Sequence, residues 1–397
     1  MNAQPVRRTS SILIYSLPVL ADMLVAQFLF INSVRLAHAG ASASVVANTV
    51  AVWSIVYLLA CPAVGRFVTV ANAAHMMAGS MAGMALLGGL FTVVEGVAGV
   101  YILMALAGVA AAFFFPPFQV FMKAVDRVED KPLTYSTGLY TFAWSLGFAI
   151  GPFISGFLMG RGPSGWKQAW WFAVTVALMA SVGVFSLRHR TRGPSAPAFS
   201  GIEVSQKTRA DYSHQTDLAW MGWIGGGVGM ILITLIRAVF PVRAEAVLHL
   251  TQGLQGLLFF LLSLSQAVTG LILCRSRYWM YRPAAMAGFG LFGLVGMLAF
   301  GFGESLPSLV AGALMFGVYS GSFFFYLVFH ALVHPRRSSQ YVAINESVVG
   351  ICGMAGAMLG GWVADRFGFG MLYSAGMALL LLTLGFQWIV HQRFPAR

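Results

Sequence analysis

The stretch Ile12–Val34 reads ILIYSLPVLADMLVAQFLFINSV. Its only charge is Asp22. A helix rises about 1.5 Å per residue, so about 20 such residues cross the hydrocarbon of a bilayer. A single stretch of this kind would be an anchor, but comparable ones recur along the whole chain. They fall at roughly 44–64, 73–93, 98–121, 134–159, 168–187, 217–238, 252–274, 283–302, 307–332, 340–362 and 370–390. With the first, 12–34, they predict an all-α membrane protein of about 12 transmembrane helices.

Composition agrees. Hydrophobic residues make up 58% and charged residues only 9%, against about 25% charged in a soluble domain. The net charge of +12 raises the question of nucleic acid, but no compact soluble basic domain is present to hold it. Loop placement explains the charge better. With the N-terminus inside, Lys and Arg favour the cytoplasmic loops by roughly three to one, as the positive-inside rule expects. That predicts a multi-pass protein of the bacterial inner membrane with both termini cytoplasmic. Arg7-Arg8 ahead of an apolar run and Ala37-His38-Ala39 imitate a cleaved signal. The apolar run exceeds the about 7–15 residues of a secretory signal and contains Asp22, so an uncleaved first span is expected.

The longest polar stretch, Arg188 to Thr216, is rich in Arg, Pro, Ser and Gly and reads as a cytoplasmic linker. It divides the chain into an N-terminal six-helix bundle (1–187), the linker (188–216) and a C-terminal six-helix bundle (217–397). The halves resemble each other weakly. One shift along the chain lays Gly151 on Gly356 and Gly156 on Gly361, and "INSVR" at Arg35 matches "ITLIR" at Arg237. Two pseudo-symmetric six-helix bundles are a known transporter plan.

Asp22 lies near the middle of the first span, where an acid marks a functional site by default. Desolvation favours the neutral carboxyl, so Asp22 could take up and release a proton; a structural hydrogen bond to another helix is the competing reading. Glu346 shares a face with Gly350, Gly353, Ala357 and Gly360 in span eleven and should point to protein or water. It reads either as a second coupling or substrate acid or as a structural group near the inner interface. Arg35 and Arg237, at matching outer ends of spans one and seven, either snorkel to the interface or capture an anion. His330 and His334 read as interfacial.

Aromatic residues crowd FFFPPF (Phe113–Phe118) and FFFY (Phe323–Tyr326). Phe115, Pro116, Gln119, Phe324 and Tyr326 are candidate cavity-lining residues, with packing or an interfacial belt as the alternative. Pro116-Pro117 must break helix four locally. GGGVG (Gly225–Gly229) lies inside a span and follows no strand, so it is not read as a phosphate loop. Cys61, Cys274 and Cys352 read as apolar fillers without disulfides. No enzymatic motif or metal spacing stands out, so no enzyme, metal site or cofactor is expected, and nothing demands more than a monomer.

GFAIGPFISG, Gly147–Gly156, sets Gly147, Gly151 and Ser155 on one face, where small residues permit close helix approach, with a kink at Pro152. The string resembles the span-five motif of antiporters of the major facilitator superfamily, with Ser155 replacing one glycine; ordinary helix packing would also explain it. GGWVADRFG, Gly360–Gly368, is similar to that family's Gly-x-x-x-Asp-Arg-x-Gly loop motif, placing Gly361, Asp365 and Arg366 in it. Here the motif follows span eleven on the outer side. The family's cytoplasmic copy after span two is degenerate, GRFVTVANAAH from Gly65, and Met104 stands where proton-driven exporters carry Arg.

The resemblance implies a secondary transporter that moves a small solute by alternating access, with protons as the expected coupling ion and Asp22 ahead of Glu346 as coupling residue. The aromatic spans favour export of amphipathic compounds. Uptake of a metabolite or organic anion is the alternative. A non-transporting sensor or assembly factor on the same fold is the alternative of another class.

Overall fold

The computed structural model describes residues 11–125, 133–188, 218–276, 279, 282–333 and 338–393. Beyond Arg188, the expected linker lies outside the described residues, as does His334. The regular elements are helices: α1 (Ser11–His38), α2 (Ala43–Gly65), α3 (Ala73–Phe91), α4 (Val97–Ala112), α5 (Phe115–Val125), α6 (Leu133–Met159) and α7 (Gly165–Ser186), then α8 (Ala219–Ala246), α9 (Gln252–Leu273), α10 (Pro283–Phe302), α11 (Leu306–Val333) and α12 (Ser338–Arg393).

Among the described residues, 11 helical segments are long and apolar enough to cross a membrane, against about 12 expected. The difference is the last one. Its apolar segment runs over 50 residues, Ile344–Arg393, which at 1.5 Å each would be roughly 75 Å long. It is interrupted at Gly368, where φ is 82° and ψ 166°. The chain therefore crosses twice, with one glycine in place of a loop. The side where α1 begins and α12 ends is called the terminal side below, and the opposite one the far side.

The fourth span is also two pieces. Pro116 and Pro117 lack the N–H groups that would bond the carbonyls four residues back. The chain tightens instead, with Phe113 N bonding Ala110 O at 3.1 Å and Phe114 N bonding Ala111 O at 2.9 Å. The helix restarts where Phe118 N reaches Phe114 O at 2.8 Å.

In the first bundle α1 packs on α6, α2 on α4 and α3 on α7, around a buried Trp170 whose ring stacks on Phe91 at 4.4 Å and meets Phe28 edge-on at 4.8 Å. In the second bundle α8 packs on α12, and α11 on α9 and α10. Two long crossings join the bundles, α6 with α9 and α2 with the first half of α12, and α1 touches α8. These are the same crossing repeated by the internal pseudo-symmetry. Ser42 and Thr251 begin the two partner helices alike, each side-chain oxygen accepting from the amide three residues on, Val45 or Leu254.

Gly368 sits where φ and ψ are nearly closed to residues with a Cβ, although no atom lies within 4 Å of where that Cβ would be. Gly368→Ala should therefore cost about 1–3 kcal/mol through the backbone alone. Thermal unfolding in detergent measures it. Gly370→Ala, which would meet Phe302 at an ordinary 3.6 Å, is the control expected to be neutral.

Candidate substrate and coupling site between the two bundles

The small-residue face of α6 decides where Asp22 lies. A Cβ on Gly147 would meet the backbone of Val19 and Met23, and one on Gly151 would meet Ala26 Cβ at 3.2 Å. Ser155, the third member of this face, accepts a hydrogen bond from Gln27 Nε2 at 3.2 Å. The face thus seats α1 directly on α6 and buries Asp22 to 5% exposure beside Gly147. Asp22 Oδ2 has no hydrogen-bond partner. A buried carboxylate in this state is costly, by about 2.5 kcal/mol or more near a membrane's centre.

The charge that acts on Asp22 comes from Arg237 of the other bundle, and the influence is mutual. Among the described residues no Asp22–Arg237 contact is short enough to be an ion pair. Arg237 instead lies over the ring of Phe148 on α6, 4.4 Å from its centroid, and donates to Ser263 Oγ on α9 at 3.3 Å. Arg35 has a different environment, although it holds the matching position in the repeat. Its guanidinium lies over Trp166 of its own bundle at 4.0 Å, and its Nη1 is buried without a partner. The expected symmetry of Arg35 and Arg237 is therefore one of position, not of surroundings.

Aromatic walls surround the acid and the base. Tyr140, Trp144 and Phe148 are spaced four apart on α6 and are all half-buried. Trp144 meets Phe324 of α11 edge-on at 4.8 Å. Tyr140 lies 6.4 Å from Phe118, and Tyr57 of α2 meets Phe115 at 6.0 Å. Tyr140 feels both Asp22 and Glu346, and Tyr57 feels Glu346. Glu346 is accessible to solvent although Tyr57, Cys61 and Tyr140 of the opposite bundle are close enough to sense its charge. It therefore faces the opening between the bundles. Below it on α12, Gly350 packs against Leu58 of α2, whereas Gly353 and Gly360 pack on α8. The expected single stripe is divided between two neighbours.

Other candidates disperse. Phe324 reaches the interface, but Tyr326 turns into its own bundle against Trp279, 5.8 Å away. Pro116 and Gln119 are half-buried around the break in span four. The three cysteines are free thiols. Across the interface, Gln266 of α9 donates to Ser145 of α6 at 2.7 Å and accepts from Ser320 of α11. This polar bridge was missed in the sequence, because Gln266 stands alone in an apolar span.

The far side is tied by backbone. A Cβ on Gly156 would strike Gln252 and, at 3.1 Å, Gly256 Cα; one on Gly361 would strike Ser44 Cα at 2.7 Å. One helical turn beyond Gly361, Asp365 Oδ1 accepts from Ala43 N at 2.8 Å and Oδ2 from Ser44 N at 2.9 Å. The carboxylate thus caps the N-terminus of α2 from the other bundle, where the helix dipole also favours a negative charge. Arg366 beside it is exposed. Nearby, His38 Nδ1 lies 3.1 Å from Glu245 Oε2, and Gln255 donates to Glu245 Oε1 at 2.9 Å.

The family model described as Major Facilitator Superfamily matches residues 11–236. This chain belongs to that family. The Multidrug resistance protein 1 of Bacillus subtilis (strain 168) is 28% identical over 167 residues, 42% of each chain; the match thus spans less than half of that relative. Two crystal structures cover nearly the whole Major Facilitator fold. The human organic anion transporter MFSD10 (TETRAN) has a TM-score of 0.66 at 16% identity, over 96% of this chain and 99% of that one. The nucleoside transporter NupG has a TM-score of 0.69 at 12% identity, over the same shares. Two six-helix bundles and a multi-pass membrane protein follow from this membership and fold.

Asp365→Asn keeps one acceptor oxygen and loses the charge, so the far-side tie should weaken by about 1 kcal/mol, or roughly fivefold in the opening equilibrium. A single cysteine at Gly253, in a background without the native three, should then react several times faster with a membrane-impermeant maleimide. Unchanged labelling would mean that Asp365 does not hold this side shut.

Proposed function

We propose that this protein is a proton-coupled exporter of amphipathic, cationic compounds, working by alternating access between its two bundles. The observation that carries the reading is the buried Asp22, with an unpartnered oxygen, opposite Arg237 of the other bundle within an aromatic enclosure. Ionised, Asp22 attracts Arg237 and draws the bundles together at that point. Protonated, it releases Arg237 to Phe148 and Ser263. One proton thus changes the balance between states whose interfaces have comparable stability.

The walls favour a planar, apolar body, since Tyr57, Tyr140, Trp144, Phe148 and Phe324 offer ring faces and edges. A cation gains further from ring faces and from an acid. Glu346 supplies that acid, because Arg237 is already answered by Asp22. The partial likeness to a multidrug resistance protein supports the same substrate class. With the far side outside, as the loop charges suggest, the tied conformation faces the cytoplasm, where an exporter loads. Both termini then lie in the cytoplasm, and an acid exterior drives export. Uptake of an organic anion is favoured by one observation, the second arginine, Arg35, with its unpartnered Nη1; the anion would then take the place of Asp22 as the charge that answers Arg237.

Proteoliposomes loaded with a fluorescent organic cation test both readings. An acid-outside gradient should drive concentrative export, and Asp22→Asn should abolish the concentrative component while the purified variant stays folded. Glu346→Gln should weaken cation binding by about tenfold, the loss of one charge-assisted contact of ~1.4 kcal/mol. Concentrative transport by Asp22→Asn at the wild-type rate would remove the coupling role. A substrate profile of anions alone would replace export of cations with the second reading.

A further inference from the structure

Among the described residues a single ion pair forms, and it joins the two bundles on the far side. His38 ends α1 and brings Nδ1 to 3.1 Å from Oε2 of Glu245, near the end of α8. The carboxylate is held in place for this contact. Gln255 of α9 is fully buried and donates to Glu245 Oε1 at 2.9 Å and to Leu250 O at 3.1 Å. Glu245 is 16% exposed and His38 67%, so the acid is set into the protein while the imidazole exchanges protons with water. The turn after His38 passes through Gly40, at φ 77°, to Ala43 and Ser44, whose amides Asp365 holds. The connection from α1 to α2 is thus tied to the C-terminal bundle at both ends.

His38 Nδ1 lies between two partners of opposite kind. Glu245 Oε2 accepts, and Gln252 Nε2, 3.4 Å away, donates. Gln252 Nε2 also lies 3.5 Å from Glu245 Oε1, which fixes the amide this way round, since the flipped amide would set its oxygen against the carboxylate. A charged ring carries a proton on Nδ1, donates it to Glu245 and adds an attraction of opposite charges. A ring with Nδ1 bare can only accept from Gln252. Imidazole ordinarily makes this change between about pH 5 and 8. The other charges around this corner are placed elsewhere. On α1, Arg35 lies over Trp166 of α7, a ring it shares with Lys167 at 5.3 Å, and the acid that acts on it is Glu95. On α8, Arg243 donates to Gly303 O at 3.0 Å. On α12, Asp365 is taken up by the start of α2, and Arg366 is exposed, as is His249 in the turn before α9.

We propose that His38 is a second proton site, apart from Asp22, that latches the far side shut. About 24 Å of α1 separates the two, at 1.5 Å per residue. Protonated, His38 adds an ion pair between the bundles to the tie made by Asp365. Neutral, it leaves that tie to act alone. The pair exists only while the far side is closed, because its members belong to different bundles. Proton uptake at His38 and closure of the far side therefore favour each other. Closure gains as the pH on that side falls and loses this support as the pH rises. The inference is independent of the compound carried and of the role of Asp22. With the far side outside, an acid exterior would favour the conformation open to the cytoplasm.

Spin labels at Val93 and Leu306, exposed at the far ends of the two bundles, test this through their distance distribution in nanodiscs. The background lacks the native cysteines and carries Asp22→Asn, so that the central acid contributes no response of its own. Raising the pH from about 5.5 to about 8 should increase the ratio of long to short distances about threefold, the scale of an exposed ion pair. His38→Gln and Glu245→Gln should each remove this response. His38→Arg, which stays charged, should keep the short distance at both pH values. Asp365→Asn should raise the ratio at both pH values and leave the response in place. A response of full size in His38→Gln, or none in the parent, would overturn the proposal.

Discussion

Contact of backbone on backbone at two glycines holds this molecule in its conformation. Gly156 meets Gly256, and Gly361 meets Ser44, each at a crossing of one bundle over the other. In lipid, apolar side chains gain little by meeting one another, and close van der Waals approach and hydrogen bonds decide association. The crossings permit that approach. They also place Asp365 over the amides of Ala43 and Ser44, so sterics and capping act at one spot. The same use of small residues on the opposite face of α6 presses α1 home and leaves Asp22 no room to reach water.

The central site is then a matter of electrostatics under confinement. Asp22 has lost its hydration, and the nearest compensating charge belongs to the other bundle. Phe148 and Ser263 hold Arg237 in place. The proposed cycle uses this arrangement in two ways, with the charges drawn together or with the acid neutral. Tyr140 is within electrostatic reach of both the buried acid and the accessible one.

Much of the fold was legible in the chain because bilayer length and small-residue spacing are local signals. The match of Gly156 with Gly361, slight on paper, marks the two equivalent crossings. Pairings between distant helices were not legible. Nothing in the neighbourhood of Asp22 announces Arg237, and the equal spacing of Arg35 and Arg237 concealed their different surroundings. Tyr140, Trp144 and Phe148 did carry a signal, a four-residue period beside the Gly147 face, but glycines on the adjacent face drew attention from it. FFFY was divided for a simple reason: consecutive side chains on a helix diverge by about 100°, so Phe324 and Tyr326 could not both face the other bundle.

Two of the donors gathered by Asp365 are the main-chain amides of Ala43 and Ser44, beside the hydroxyls of Ser44 and Ser42. No side-chain replacement at Ala43 or Ser44, short of proline, removes the amides. The fastening has no counter-charge to lose. Its main-chain part depends on the Asp365 carboxylate and on no side chain of α2, so one codon at that position can adjust it while α2 keeps its own sequence.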